Sequence, residues 1–290
     1  MKNGVLIRIL GNDLRTLHGD RQTIDNLKFT LRHECEFEGI EKIFLLNRLC
    51  SEEKREEILE ILNAFGIAHF EIPFSFSEFL NISGERLTKK EFSLLSRKDK
   101  VKFLYPFNLY LINNNGSRNY CIDYAKRQGY DWVFPLDSNN FLTRASYEKL
   151  AQGLKKRTQY IVLPQYRIMD AGLSNDDWAT QAYELDGLPI HEPQLGFSTS
   201  CRHRFNEKIC YGCGPKAEML NALGVEGEWN KWRDNEKYLS IKTRRFWLTR
   251  TQVIGESVRL NPLSRRNEKS ANWNLRQEGL YELVRNLWEK

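Results

Sequence analysis

The sequence predicts an α/β fold: a mostly parallel sheet with helices on both faces. Two observations carry this. Residues 5–72 alternate short apolar runs with amphipathic stretches in the order β-α-β-α-β, joined by short connections. The stretch from Asn113 to Thr143 then supplies another helix, a Gly129 stop, and a buried run Trp132–Leu136 that delivers Asp137 to a polar loop. A strand ending on an acidic and amide tip, just after an Arg-bearing helix start, is how many α/β proteins place a metal or phosphate site at the carboxyl edge of a sheet.

In chain order, Val5–Ile9 is the first predicted strand, followed by the loop Leu10-Gly11-Asn12-Asp13-Leu14 and a helix over Arg21–His33. Lys42–Leu46 is the second, ending on Asn47-Arg48. Ser51-Glu52-Glu53-Lys54 then opens an amphipathic helix to Ala64 with a capping-box-like start. Ala68–Ile72 is the third strand, closed by Pro73. The carboxyl edge of such a sheet collects Asn12, Asp13, Asn47, Arg48 and Asp137. From residue 73 to 110 the rhythm breaks, with eight aromatics among Lys, Arg and Ser. This is an insertion with one or two helices, either a lid over the sheet edge or an aromatic-packed surface subdomain. Asn113–Gly116 is a tight turn before a helix over Ser117–Gln128.

Further on, Arg144–Arg157 is a helix and Tyr160–Leu163 a strand, continued by Tyr166–Met169 after Pro164. Residues 170–200 are Gly-, Asp-, Asn- and Pro-rich, hence loop or short strand, and carry Asp170, Asp176, Asp177, Glu184, Asp186, His191 and Glu192. Gly214-Pro215 opens a short helix over Ala217–Leu223 that Gly224 stops. A Trp-rich segment (Trp229, Trp232, Trp247), a basic stretch Lys242–Arg250, a strand Thr251–Val258 and a helix Trp273–Trp288 follow.

With 290 residues the chain can bury a large core. Its 41% hydrophobic and 28% charged content is ordinary for a globular protein, and no apolar run approaches the ~20 residues of a membrane span. The start MKNGVLIRIL reads as a buried strand and not a signal peptide, which predicts a cytoplasmic location. The net charge of +6 is interleaved with 38 acidic residues, arguing against nucleic acid and for small anions. Six cysteines without a signal peptide read as free thiols. Cys201, His203, Cys210 and Cys213 have the ligand types of a Cys3His zinc site, but Gly212 and Gly214 suit a turn into Pro215, and ordinary buried thiols are favoured. There is no G-x-S-x-G elbow, no phosphate loop and no G-x-G-x-x-G fingerprint. Trp178, Trp229 or Trp232 are either sugar-stacking platforms or core. Arg259 through Arg266, with Arg276, either fold back on a diphosphate or face solvent.

Asp137-Ser138-Asn139-Asn140 occupies the place where an Asp-x-Asp pair holds a divalent cation, Mn²⁺ or Mg²⁺, against a diphosphate. Here the second acid is Asn139, whose neutral oxygen binds such an ion more weakly. The alternative is that Asp137 merely caps the following turn. Arg118, at a helix start that already favours an anion, either meets phosphate or pairs with Asp137, and the two roles are compatible.

The β-α-β-α-β run, N-N-N-G-S-R-N and W-V-F-P-L-D-S-N-N together resemble the glycosyltransferases of the GT-A fold over roughly residues 1–165. More finely, R-I-L-G-N-D-L, L-D-S-N-N-F-L-T, E-P-Q-L-G-F and Y-G-C-G-P-K-A-E-M-L are similar to bacterial glycosyltransferase-like proteins of surface-polysaccharide loci. The resemblance implies a nucleotide-sugar-binding half over residues 1–165 and an acceptor-side region over 166–290, in one compact domain. It implies sugar transfer from a nucleotide-sugar donor to a glycan or lipid-linked glycan, with no membrane span and peripheral membrane association left open. One site is implied: Arg8, Asn12, Asp13, Arg118 and Asn139 on the donor side, Asp137 with Asn139 holding a metal or the donor, and His191 and Gln194 beside the acceptor. Glu192 is implied as a general base on the acceptor hydroxyl if configuration inverts. Asp137→Ala is then expected to abolish transfer with the melting temperature nearly unchanged. A catalytically inactive nucleotide-sugar or glycan binder, and a metal-dependent nucleotidyl- or phosphotransferase wanting two or more carboxylates, are the alternatives.

Overall fold

The computed structural model describes residues 3–82, 84–153, 157–167, 190–225, 227, 250–260 and 269–290. Four parallel strands, β1 (Gly4–Leu10), β2 (Ile40–Asn47), β3 (His69–Ile72) and β4 (Trp132–Asp137), lie in the order β3-β2-β1-β4. The sheet continues with β5 (Asn140–Phe141), β6 (Tyr160–Arg167), β7 (Ile190–Ser198), β8 (Thr251–Val253) and β9 (Ser257–Arg259). Beyond β4 the order is β7-β6-β9-β5, with β8 also beside β6. β7 runs antiparallel to both β4 and β6, so the sheet is mixed, with a parallel half that matches the expectation.

The parallel half forms around β1 and β4, which are apolar on both faces as central parallel strands must be, with β3 as a partly exposed edge. Val5 and Ile7 of β1 pack with Cys121, Ile122 and Ala125 of α7 (Asn114–Arg127) and with Met219 and Leu220 of α9 (Ala217–Ala222). Leu6 faces the other way, into a cluster with Phe134, Leu136 and Leu150, the last from α8 (Arg144–Gly153). At the strand ends, Leu10 and Leu46 meet α2 (Gln22–His33) and α3 (Glu52–Ala64) through Ile24, Leu27, Ile58 and Leu62. Ser51 caps α3 as predicted, its side chain accepting from Lys54 N.

The insertion holds three helices where one or two were expected: α4 (Phe76–Leu80), α5 (Lys89–Leu94) and α6 (Arg97–Leu111). Phe79, Phe92 and Phe107 of its aromatics are buried, whereas Phe76 is exposed. Phe79, Phe92, Leu104 and Phe107 pack against Leu280, Tyr281, Val284 and Leu287 of the last helix, α10 (Lys269–Trp288). Phe92 stacks on Tyr281 with ring centroids 4.2 Å apart. A short helix α1 (Arg15–His18) also meets α10, where Thr16 Oγ1 donates to Leu275 O.

Three local expectations are corrected. The predicted Asn/Gly turn is the first turn of α7 itself: Asn113, in the left-handed region at φ 47°, is its N-cap, and a Cβ on Gly116 would lie 2.1 Å from Asn113 Oδ1. Residues 190–198, read as loop or short strand, form the nine-residue β7 in the middle of the sheet. The predicted strand Thr251–Val258 is broken by Gly255, at φ 72°, into β8 and β9, both beside β6. Trp178, Trp229, Trp232, Trp247, the acids at 170–186 and the basic residues 242–249 lie outside the described residues.

Candidate functional site

The strand order reverses between β1 and β4: from β1 the chain goes to β2 on one side, while β4 lies on the other. Connections diverge at such a point and leave a crevice at the carboxyl ends of the strands. A cleft of about 120 Å³ opens there, bordered by Asn12 and Asp13 after β1, Asn47 at the end of β2, Ser117 of α7, the Asp137–Asn139 tip of β4, and Arg259 of β9.

Asp137 is held from both sides. Arg118 Nη2 donates to its Oδ1 at 2.6 Å and Lys216 Nζ to its Oδ2 at 3.2 Å. The two cationic side chains are 2% and 4% exposed, and the carboxylate is about one-third exposed to the cleft, at 34%. Burial works to raise the Asp137 carboxyl, but the charges and hydrogen bonds of Arg118 and Lys216 outweigh it and hold the group below the usual carboxylate range. Burial depresses the Lys216 ammonium, and the opposing pull of Asp137 and Glu192 offsets only part of this.

Arg118 sits one turn into α7, where its Nη1 also donates to Asn115 Oδ1 at 2.9 Å and its guanidinium lies over the Phe205 ring. Lys216 is delivered differently, at the end of an irregular segment pinned by three buried amides. Asn119 Nδ2 donates to Phe205 O and its Oδ1 accepts from Phe205 N, at 3.0 and 2.9 Å. Asn108 does the same with Tyr211, at 2.9 Å each way. Asn115 Nδ2 reaches both Asn206 O and Pro215 O at 2.8 Å. Satisfied amides of this kind fix a buried loop as firmly as a ladder would. Gly212 and Gly214 provide the left-handed positions, at φ 92° and 68°.

Glu192 stands at an irregularity of the β6–β7 ladder. Leu163 pairs with Gln194 and Gln165 with His191, so two steps along β6 correspond to three along β7. The ladder thus holds one extra residue beside Glu192, whose charge reaches Lys216, but Glu192 does not border the cleft. Glu192 Oε1 is buried without a hydrogen-bond partner.

The other expected site residues divide. Asn12 and Asp13 border the cleft but also hold the fold. Asn12 Nδ2 donates to Arg48 O and Leu111 O, and its Oδ1 accepts from Cys50 N. Asp13 accepts from Thr23 N and Oγ1 and pairs with Lys54 at 2.5 Å. Asn139 lies in the cleft, its Oδ1 accepting from Asn140 Nδ2. Arg8 is corrected: it is 1% exposed, paired with the equally buried Glu34, and donates from Nε to Asn140 O, so it braces the sheet and does not border the cleft. Gln194 is corrected likewise, being fully buried and donating to Gln165 Oε1 at 2.7 Å. His191 lies opposite Gln165 in the ladder. Arg48 turns toward α6, donating to Tyr110 O over the Tyr110 ring.

Cys201 and His203 gather around Tyr160, whose hydroxyl bonds His203 Nδ1, whereas Cys210 and Cys213 pack with Ile209 against Tyr105 and Leu109. All six cysteines are free. Among the described residues no group of three or more His, Cys, Asp or Glu is placed to hold a metal ion. The donor set at the β4 tip fits a resident Mn²⁺ or Mg²⁺ poorly: Asp137 is balanced by two cations, Asp13 by Lys54, and Asn139 offers a neutral oxygen. Hard divalent ions want net negative oxygen ligands, which this tip lacks.

No protein-family model and no curated protein matches the chain. Among solved structures, it is similar to S. aureus TarS residues 1–349 in complex with UDP, at 10% identity and a TM-score of 0.37, over 75% of this chain and 54% of that one. It is also similar to a mannosyltransferase from Pyrobaculum calidifontis in complex with GDP-Man and Mn²⁺, at 8% identity and a TM-score of 0.33, over 88% and 57% of the two chains. A third likeness is to the inositol-1-phosphate CTP transferase from T. maritima, at 8% identity and a TM-score of 0.37, over 96% of each chain. The chain thus spans a little over half the length of the first two. TM-scores this low establish no shared activity.

Proposed function

We propose that this protein is a glycosyltransferase that moves a sugar from a nucleotide-sugar donor to a glycan acceptor without a resident metal ion. The observation that carries the reading is the convergence of Arg118 and Lys216 on Asp137 at the switch-point crevice. Breaking the bond between the anomeric carbon and the donor phosphate leaves its electron pair on a phosphate oxygen. Arg259, which borders the cleft, would meet that charge directly, and Arg118 and Lys216, buried behind Asp137 and not bordering the cleft, would add their field to it, in place of a divalent ion. Asp137 would keep Arg118 and Lys216 oriented and meet the donor, with Asn12 and Asp13 bordering its nucleoside end.

Glu192 is the proposed base: it would take the proton of the acceptor hydroxyl as that oxygen bonds to the anomeric carbon. Its carboxylate oxygen without a hydrogen-bond partner supports this, as does the reach of its charge to Lys216. The finer assignment, to surface-polysaccharide synthesis, is supported by the sequence resemblance alone. The nucleotidyl- or phosphotransferase reading is disfavoured because both acids bordering the cleft are already neutralised.

The test is thermal shift of the purified protein against uridine, guanosine, cytidine and thymidine diphosphates and their sugars, with EDTA and with Mn²⁺ or Mg²⁺. The expected result is stabilisation by one nucleotide class that EDTA leaves intact, about 2.7 kcal/mol at a hundred times its dissociation constant. Absence of any shift sinks the donor reading, and a shift with no transfer to any acceptor favours the non-catalytic binder.

A further inference from the structure

Residues 84–102 carry seven basic and three acidic side chains, so this one segment supplies +4 of a chain whose net charge is +6. Two of the acids are tied into helix caps: Glu91 accepts from Thr88 N and Oγ1 at 2.7 Å each, and Asp99 accepts from Ser96 Oγ at 2.6 Å. Lys89, Lys90, Lys98 and Lys102 are exposed and form no ion pair among the described residues. Between them stands Leu94, 77% exposed, one helical turn beyond Lys90 on the same face of α5. The opposite face of α5 is already used, since Phe92 is buried against Tyr281. The same subdomain exposes Phe76 and Leu80 on α4.

We propose that α5 and the first two turns of α6 dock on an anionic lipid bilayer. Solvation alone accounts for the lysines, but not for an apolar side chain set among them on the outward face. On a bilayer the lysines meet anionic headgroups while Leu94 enters the boundary below them, which is the division of labour of interfacial helices. A nucleic acid would meet the same charge but has no use for Leu94. The fifteen residues of α6 run from this face toward the cleft, about 22 Å away, and its Leu111 O accepts from Asn12 Nδ2 at the cleft border. A docked surface would therefore stand at a fixed distance from the site. The inference does not depend on the donor reading, because membrane binding is measured without nucleotide.

The experiment is co-sedimentation of the whole chain with vesicles of phosphatidylcholine alone or with about one-third phosphatidylglycerol, at low and high salt. Binding is expected to the anionic vesicles only, to weaken with salt, and to fall about fivefold for each lysine neutralised in the series Lys89→Gln, Lys90→Gln, Lys98→Gln and Lys102→Gln. Leu94→Asp is expected to weaken binding further at constant lysine content. These side chains are on the surface, so the variants keep the wild-type melting temperature. Equal binding to neutral vesicles, no binding to either kind, or a quadruple variant that binds like the wild type overturns the proposal. So does retention on a short DNA duplex at concentrations where anionic vesicles bind nothing.

Discussion

Lys216 and Asp137 are 79 residues apart in the chain and 3.2 Å apart in the fold, and their contact closes an ion triad that Arg118 begins on the other carboxylate oxygen. The triad changes what removal of Asp137 does. An exposed carboxylate at a strand tip would be lost with no effect on melting, as the sequence led us to expect. Here the loss strands two cationic groups that are 2% and 4% exposed. Asp137→Asn is expected to cost about 2 kcal/mol, below the ~3–5 typical of a broken buried pair because Asp137 itself is partly solvated. In a double-mutant cycle with Lys216→Met, followed by urea unfolding, a coupling of about 1–2 kcal/mol is expected. A coupling of zero would mean the two groups do not depend on each other.

Arg8 and Glu34 make the larger structural prediction. Both side chains are 1% exposed, and Glu34 Oε1 also accepts from Leu142 N at 3.1 Å. Arg8→Met leaves the buried Glu34 carboxylate with only the more distant Lys42 ammonium, 3.8 Å from its Oε2, so a loss of about 3 kcal/mol, the low end for a broken buried pair, is expected, largely recovered when Glu34→Gln is added. Nucleotide affinity, corrected for stability, should be unchanged in either variant. A stable Arg8→Met that has lost nucleotide binding would return Arg8 to the donor site.

The parallel half of the fold was legible because β1, β4 and most of β2 are continuous apolar runs, a pattern that needs no knowledge of distant partners. β7 was not legible: its sequence, His-Glu-Pro-Gln-Leu-Gly, has the composition of a loop. Its burial rests on the Gln194–Gln165 pair and on the fit of Gly196 against Phe134, both set by residues far along the chain. Arg118 and Asp137 could be picked out from a helix start and a strand end. Lys216 could not, because no local pattern buries a lysine after Gly-Pro. The signal lay in Asn115 and Asn119, which with Arg118 share one face of α7, but an Asn- and Gly-rich stretch also reads as a turn.

Gly196 supplies a test of the β7 register. A Cβ there would lie 2.4 Å from Cε1 and 2.7 Å from Cδ1 of Phe134, a buried ring with no room to retreat. Gly196→Ala is expected to cost about 1–3 kcal/mol of unfolding free energy, by the overpacking that follows from adding a methyl to a filled core. The loss should shrink in a background of Phe134→Leu, where the ring is gone. Full stability of Gly196→Ala alone would place β7 in another register.

Arg259 borders the cleft with its Nε buried and without a hydrogen-bond partner, and it forms no ion pair among the described residues. Arg259→Gln is expected to weaken nucleoside diphosphate binding about tenfold, as for one charge-assisted contact to phosphate, and to leave the melting temperature of the free protein in place. Titration calorimetry of wild type and variant with the nucleotide found by thermal shift reads this directly. Equal affinities would remove Arg259 from the phosphate side.

The depressed Lys216 ammonium separates stability from binding on the alkaline side. In the folded protein it gives up its proton below the ordinary lysine value of 10.5, because burial outweighs the pull of Asp137 and Glu192. Between the folded and unfolded values the unfolded chain binds more protons, so this group's contribution to stability rises with pH. Its contribution to anion binding moves the other way, since the neutral amine no longer answers a phosphate charge. Asp137, held low, contributes stability that is present above the ordinary carboxylate range and is lost only as the solution falls below it, so it stays ionised throughout this window. Nucleotide affinity is therefore expected to fall as pH rises toward 10.5, before an ordinary lysine would titrate. Lys216→Met should bind more weakly at neutrality and show no such fall, and Lys216→Arg should bind without it. A wild-type affinity that is flat up to 10.5 would show that Lys216 serves Asp137 alone and never meets the ligand.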